Sequence, residues 1–199
     1  MIECDVGVTA DKQLVCVHDA WLSSNTNVDQ VDKFAGRKKR LPIEGKTRND
    51  WWVSDFTLAE IGELRLVQER IERDPSFDLM YGVPTLQEYI DIAKNANRTI
   101  GLHVEVKTPE FYEEQLNIST NELLTLINEP LMANGYAAKD DACFIQSFYL
   151  GHLEQMAAMN DLPKVYLMRT SNMEGVDYNN ATFDWDTWDK FRVLSDSFA

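Results

Sequence analysis

Two short segments, in which charged and apolar side chains alternate, constrain this chain more than any other feature. Residues 2–8 read Ile-Glu-Cys-Asp-Val-Gly-Val, and residues 102–107 read Leu-His-Val-Glu-Val-Lys. Alternation with a period of two predicts β-strands with one apolar and one ionisable face. An ionisable face is unremarkable on a solvated strand. On a covered strand, however, its charges must be paired or must bind a metal ion.

Strands and helices are predicted to alternate along the rest of the chain. Two helix starts have a Thr followed three residues later by Glu, the pattern of a capping box: Thr57 with Glu60, and Thr85 with Glu88. Further strands are predicted at 13–17, 142–147 and 165–168, and further helices at 85 to about 95, 119–133, 149–159 and 185–197. This order favours a parallel α/β fold, whose strands are normally covered on both faces.

Net charge and the length of apolar runs limit the functions that are compatible with this sequence. The 199 residues carry a net charge of -14, which argues against a nucleic-acid partner. No apolar run is long enough to predict a membrane span. We expect one domain over residues 1–199, with an insertion at 20–55. That insertion holds a basic cluster that is either a solvated loop or an attractant for anionic substrates: Lys33, Arg37, Lys38, Lys39, Arg40, Lys46 and Arg48.

Several ionisable residues fall at or near the carboxyl ends of predicted strands, the edge at which closed α/β barrels place their active sites. Three carboxylates form an all-oxygen set suited to one hard divalent cation, Ca²⁺ or Mg²⁺. They are Glu3, Asp5 and Glu105. His18 fits a proton-transfer role, and Lys107 fits a charge facing a phosphate. Gln146-Ser147-Phe148 ends another predicted strand.

The chain resembles the glycerophosphodiester phosphodiesterase family, in the periplasmic or secreted type with a long insert. The matching motifs occur in the family's order over residues 2 to about 168. They are Ile2-Glu3-Cys4-Asp5-Val6; Val17-His18-Asp19, followed by Leu22 and Thr26; the stretch 55–61; the stretch 83–88; Val104-Glu105-Val106-Lys107; and Gln146-Ser147-Phe148.

The resemblance implies a TIM (β/α)8 barrel, incomplete here with about five of eight strands. It implies that the three carboxylates hold the cation, that His18 is one of two catalytic histidines, and that Lys107 contacts the phosphate. Gln146 and Phe148 would contact the substrate. The family's opening His-Arg-Gly strand and its last two strands would lie outside this chain. Ser24 stands where an arginine is common, which puts substrate contacts there in doubt.

The implied reaction is metal-dependent hydrolysis of a small glycerophosphodiester to an alcohol and glycerol 3-phosphate. Two alternatives remain open. One is a related barrel phospholipase, of the phosphatidylinositol-specific or sphingomyelinase D type. The other is a catalytically inactive remnant that binds phosphate esters.

The remaining motifs give weaker expectations. The three cysteines show no disulfide or metal spacing and are expected to be buried thiols: Cys4, Cys16 and Cys143. Three glycosylation sequons, at Asn97, Asn117 and Asn180, favour a secreted, periplasmic or extracellular location.

His103 is predicted to be a core histidine or a partner of the site carboxylates, and His152 an ordinary helix residue. The aromatic residues Trp51, Trp52, Phe56, Phe148 and Trp185 are predicted to be core or loop anchors, and Phe148 is also a candidate substrate contact.

Overall fold

The computed structural model describes residues 1–167, and its centre is one five-stranded sheet. The strands of this sheet are β1 (Ile2–Val8), β2 (Leu14–Cys16), β5 (Leu102–Val106), β6 (Cys143–Ser147) and β7 (Lys164–Tyr166), in the spatial order β2-β1-β5-β6-β7. β1, β5, β6 and β7 are parallel neighbours, whereas β2 pairs antiparallel with β1. The sheet does not close among these residues, and its fold is part of a TIM barrel, as predicted.

Helices connect the parallel strands. They are α1 (Leu58–Ile61), α2 (Leu86–Lys94), α3 (Pro109–Leu116), α4 (Thr120–Ala133) and α5 (Leu150–Ala157). Both predicted capping boxes are present, with Thr57 bonded to the backbone of Glu60 and Thr85 to that of Glu88. The sequence prediction missed α3, although Pro109 at the first helical turn is a recognised start signal. The predicted helix at 185–197 lies outside the described residues.

The predicted insertion at 20–55 contains a hairpin that the sequence prediction did not identify. β3 (Lys39–Ile43) and β4 (Lys46–Asp50) are joined by Glu44 and Gly45, both with positive φ. Two adjacent residues in this conformation form the tight turn that suits a two-residue hairpin. Three short 3-10 helices complete the segment: Val28–Gln30, Asp32–Arg37 and Val53–Asp55.

Aromatic side chains fix this segment to the sheet. Trp52 and Phe56 are fully buried, and the Trp52 ring packs 5.1 Å from that of Phe111 on α3. The predicted anchoring role of Trp51, Trp52 and Phe56 is therefore confirmed. Trp185 lies outside the described residues. Among residues 1–167, no helix is long and apolar enough to cross a membrane.

One sequence prediction about cysteine is wrong: Cys4 and Cys16 form a disulfide. The antiparallel pairing of β2 with β1 places Val6 opposite Cys16 and brings the two cysteine Cα atoms to 5.6 Å. That distance suits a disulfide bond, but only the hairpin register reveals it. Cys143 is a buried free thiol, as expected.

Gly7 permits the close packing of the same hairpin. A Cβ atom at this position would lie 2.5 Å from the Val17 side chain and 2.9 Å from the Tyr112 hydroxyl. Any larger residue would therefore push the segment that leads into His18 away from β1.

Candidate active site

The parallel pairing of β1 with β5 brings the three predicted carboxylates together. Asp5 lies directly opposite Glu105, and Glu3 lies opposite His103. One oxygen each from Glu3, Asp5 and Glu105 lies within 4.8 Å of the other two. Ca²⁺ binds oxygens at 2.3–2.6 Å, so its ligands lie at most about 5.2 Å apart. The spacing therefore fits one such cation.

The burial of Glu105 shows why this cluster favours a cation. Only 4% of the residue is exposed, and its Oε1 atom has an ion-pair contact with Lys107 but makes no hydrogen bond to the described residues. Burial raises the pKa of Glu105 to about 7, against the opposing attraction of Lys107. Burial, and then the neighbouring Asp5 charge, also raises the pKa of Glu3. A bound cation would stabilise both ionised carboxylates, since an opposite charge favours the charged form.

Lys107 lies against the same carboxylates. Its Nζ atom is 3.2 Å from Asp5 Oδ1 and 3.2 Å from Glu105 Oε1. Burial alone would lower the pKa of Lys107, but the two carboxylates outweigh it and raise the pKa. The ammonium group is thus held in its charged form at the site.

The turn after Lys107 is conformationally unusual. Thr108 adopts left-handed φ and ψ angles of 38° and 52°, and it is buried just before α3 begins at Pro109. A β-branched residue in this region is a genuine outlier. Such strain collects at functional sites, where the surrounding structure enforces it.

His18 reaches the site because β2 runs back along β1. The strand ends at Cys16, and the Val17 N–H donates to the Asp5 carbonyl, which holds the next residue level with the carboxylates. His18 Nε2 lies 3.3 Å from Lys107 Nζ, and His18 Nδ1 lies 3.0 Å from Asp19 Oδ1. A proton on Nδ1 satisfies both contacts and leaves the Nε2 lone pair facing the lysine.

Asp19 and Ser24 were not predicted as site residues, but they orient this histidine. The Ser24 hydroxyl donates to Asp19 Oδ2 at 2.7 Å, and Ser24 is itself buried. Ser24 therefore fixes the carboxylate that holds His18. The adjacency of His and Asp in the sequence was the available signal for Asp19.

Gln146 contacts the metal-binding candidates themselves. Its Nε2 atom donates to Glu3 Oε1 at 3.0 Å and lies 3.5 Å from Glu105 Oε2. Gln146, which was predicted to contact the substrate, thus lies between the carboxylates of Glu3 on β1 and Glu105 on β5 and contacts both. Phe148 follows the end of β6 and is partly exposed.

The side chains of the two other histidines contact residues outside the carboxylate cluster. His103 packs its ring edge-on against Phe144, with centroids 5.7 Å apart, and its Nε2 has no hydrogen-bond partner within the described part of the chain. Burial lowers the pKa of His103. His152 on α5 lies 2.9 Å from Glu113 on α3 and joins the two helices, as an ordinary helix residue would.

The basic cluster of the insertion is largely neutralised. Arg37 pairs with Glu60, Lys39 with Asp55, and Arg48 with Asp50. Lys33 pairs with Glu63, and Lys38 lies 4.5 Å above the Trp51 ring. These contacts favour the structural interpretation of the cluster over that of an attractant for substrate.

Comparison with known proteins establishes the family. Residues 1–189 match the model of the glycerophosphoryl diester phosphodiesterase family, and the chain belongs to this family of hydrolases. It is 30% identical over 175 residues to the Arabidopsis thaliana glycerophosphodiester phosphodiesterase GDPD6, covering 84% of this chain and 47% of the relative. A Haemophilus influenzae glycerophosphodiester phosphodiesterase is 24% identical over 170 residues, covering 78% and 43%. The chain thus spans about half the length of these relatives.

A solved structure supports the fold. A Silicibacter pomeroyi protein whose name assigns it to the glycerophosphoryl diester phosphodiesterases superposes with a TM-score of 0.64 at 23% identity. The match covers 90% of this chain and 58% of that one. At this identity the likeness shows the fold alone.

Proposed function

We propose that the full-length protein hydrolyses small glycerophosphodiesters to an alcohol and glycerol 3-phosphate, with one divalent cation, Ca²⁺ or Mg²⁺, held by Glu3, Asp5 and Glu105. The observation that carries the proposal is that these carboxylates converge on one point together with Lys107 and His18. Lys107 Nζ lies within 3.3 Å of Asp5, of Glu105 and of His18. Family membership supplies the reaction class.

Each side chain has a task in this reaction. The cation, when bound, supplies charge that neutralises the phosphate oxygens. Lys107 adds a second positive charge, fixed in place before substrate arrives. His18 transfers a proton at Nε2, either from the nucleophile or to the departing alkoxide, while Asp19 and Ser24 hold its ring. Gln146 keeps Glu3 and Glu105 at a fixed separation.

The substrate class is tested by comparing glycerophosphocholine with intact phosphatidylinositol and sphingomyelin, measuring glycerol 3-phosphate, inositol phosphate and free choline. Release of glycerol 3-phosphate from the first compound is the expected result. Turnover of the intact lipids alone would instead support a barrel phospholipase, and turnover of none would support a binding remnant.

Metal dependence is tested with EDTA and with Glu105→Ala. Both should reduce hydrolysis by at least about 100-fold, because the charge on the phosphate is then no longer neutralised. The matched control is Glu154→Ala, which removes an exposed carboxylate on α5. Ca²⁺ should also raise the melting temperature of the wild type and not that of Glu105→Ala, since a ligand stabilises the state that binds it. An enzyme that keeps full activity in EDTA would refute the cation.

We further propose an oxidising location, secreted, periplasmic or extracellular. The Cys4–Cys16 disulfide supports it, because disulfides persist mainly outside the cytosol. Counting free thiols in protein purified from its natural source tests this proposal. One free thiol among the three cysteines is expected, and three would contradict it.

A further inference from the structure

A cavity of about 420 Å³ opens beside His18. The carboxylate cluster and Lys107 are not part of its wall, so His18 is the residue that the cavity shares with the candidate active site. Besides His18, the lining includes two carboxylates, two aromatic rings and two aliphatic side chains: Asp74, Asp78, Phe77, Tyr81, Leu66 and Val67. A group attached to the phosphate and passing His18 would enter this space.

The cavity wall is anchored to the segment that follows His18. The Leu66 N–H donates to the Tyr81 carbonyl, and the Leu79 N–H donates back to the Leu66 carbonyl, both at 2.8 Å. The Val67 N–H donates to the Asn25 carbonyl at 2.9 Å. These backbone bonds hold both sides of the 66–81 loop at a fixed place next to the histidine.

Two aromatic rings of this wall are exposed. Phe77 and Tyr81 are 62% and 57% exposed, and their ring centroids lie 6.3 Å apart at an interplanar angle of 34°. Exposing two such rings carries a hydration cost that a bound group would relieve. Aromatic faces also attract cations, and quaternary ammonium groups are their best-known ligands.

The charges of the wall favour the same kind of ligand. Asp78 is oriented by the Gln68 N–H, which donates to Oδ1 at 2.7 Å, and Asp74 is oriented by the Ser76 N–H at 2.9 Å. Among the described residues that line the cavity, none is a lysine or an arginine. A cationic group is therefore attracted by both carboxylates, and an anionic group is repelled.

We propose that this cavity receives the alcohol portion of the substrate and selects an alcohol that carries a quaternary ammonium group. The inference rests on the proposed function and specifies its substrate. In the hydrolysis, the oxygen of water bonds to phosphorus, the bond from phosphorus to the alcohol oxygen breaks, and the alcohol leaves with a proton. The carboxylates and rings of the cavity then contact only the departing group.

The test compares two glycerophosphodiesters that differ in the alcohol. The ratio of kcat/KM for glycerophosphocholine to that for glycerophosphoglycerol is measured with the full-length protein, and we expect it to exceed about 10, given the size of cation–aromatic attraction at such sites. Phe77→Ala, Tyr81→Ala and Asp78→Asn should each lower the ratio by about threefold to tenfold. Phe77→Tyr should preserve it.

Each outcome separates this inference from the proposed function. No turnover of either compound overturns the proposed function. Equal turnover of both by the wild type overturns the inference and leaves the function standing. A high ratio that survives all three variants also overturns it, because selection then lies elsewhere. The control is Met132→Ala, which removes an exposed apolar side chain from α4 and should leave both rates unchanged.

Discussion

A lysine just after strand β5 and a lysine at the start of strand β7 are both largely removed from water, yet their surroundings differ in kind. Lys107 follows the carboxyl end of β5 and contacts two carboxylates, those of Asp5 and Glu105. Lys164 opens β7 at the amino end and donates to the Asn160 side chain at 2.7 Å, to the Asn160 carbonyl at 3.1 Å and to the Leu162 carbonyl.

The pKa values separate the two environments. Burial lowers the pKa of Lys164 to about 8, and the attraction of Asp161 opposes that effect without reversing it. At Lys107 the carboxylates outweigh burial and the pKa is raised. The direct partners of Lys107 at the carboxyl edge, where a phosphate would be bound, are thus carboxylates, whereas those of Lys164 at the amino edge are neutral oxygens. In α/β barrels the carboxyl edge serves catalysis and the amino edge serves stability.

Lys107→Met tests the functional side of this comparison most severely. We expect kcat/KM for glycerophosphodiesters to fall by about 100- to 1000-fold, because a preorganised positive charge at the phosphate is lost. Steady-state kinetics on the full-length protein measure it. Lys164→Met is the matched control and should change kcat/KM by less than about threefold, because it lies at the opposite edge. Equal losses in the two variants would break the comparison.

The Cys4–Cys16 disulfide joins β1, which carries Glu3 and Asp5, to β2, which leads to His18. Replacing Cys4 and Cys16 together with Ala should lower the free energy of unfolding by about 3 kcal/mol, the loop-closure entropy for residues 12 apart in sequence. Urea denaturation under non-reducing conditions measures this loss. Cys143→Ala serves as the control for removing a buried sulfur. A loss no larger than in that control would contradict the prediction.

Lys164→Met tests the structural side. Removing the ammonium leaves the buried carbonyls of Asn160 and Leu162 without this donor, and we expect a loss of about 1–3 kcal/mol in the free energy of unfolding. Lys12→Met is the matched control, because it removes only an exposed ion pair with Glu122, which contributes at most about 1 kcal/mol. Losses of the same size in both variants would argue against a structural role for Lys164.

The pH dependence of stability is the smallest expected effect. The pKa of Lys164 is lowered to about 8 from an ordinary 10.5, so between these values the unfolded chain binds more protons than the folded one. Raising the pH through this window therefore stabilises the fold. The wild type should gain stability relative to Lys164→Met between pH 8 and pH 10 in parallel denaturation curves. A constant difference would show that the pKa of Lys164 is not lowered.

Local signals made much of this fold predictable. The two Thr-Glu capping boxes, at Thr57 and Thr85, depend only on residues three apart, and the alternation in β1 and β5 is visible in five to seven residues. The carboxylate cluster followed from that alternation together with parallel pairing. Resemblance to the family strengthened the proposed catalytic role of His18, which its neighbours in sequence only suggest.

The missed features depend on how the chain folds back on itself, which local sequence patterns do not specify. Ser24 orients Asp19 only because the chain turns back after β2, and Gln146 on β6 reaches Glu3 on β1 across the intervening strand β5. The Cys4–Cys16 pair depends on the hairpin register, which spacing along the chain does not specify. The 66–81 loop has no periodicity, so its cavity beside His18 could be found only in three dimensions.

The hairpin disulfide has a consequence for proteolytic damage. Lys12 is exposed at the tip of the β1–β2 turn, between the strand that carries Glu3 and Asp5 and the strand that leads to His18. A single backbone cut there would divide the carboxylates of β1 from the histidine in sequence. Because Cys4 and Cys16 lie on opposite sides of the cut, the two fragments would stay joined until a reductant separated them.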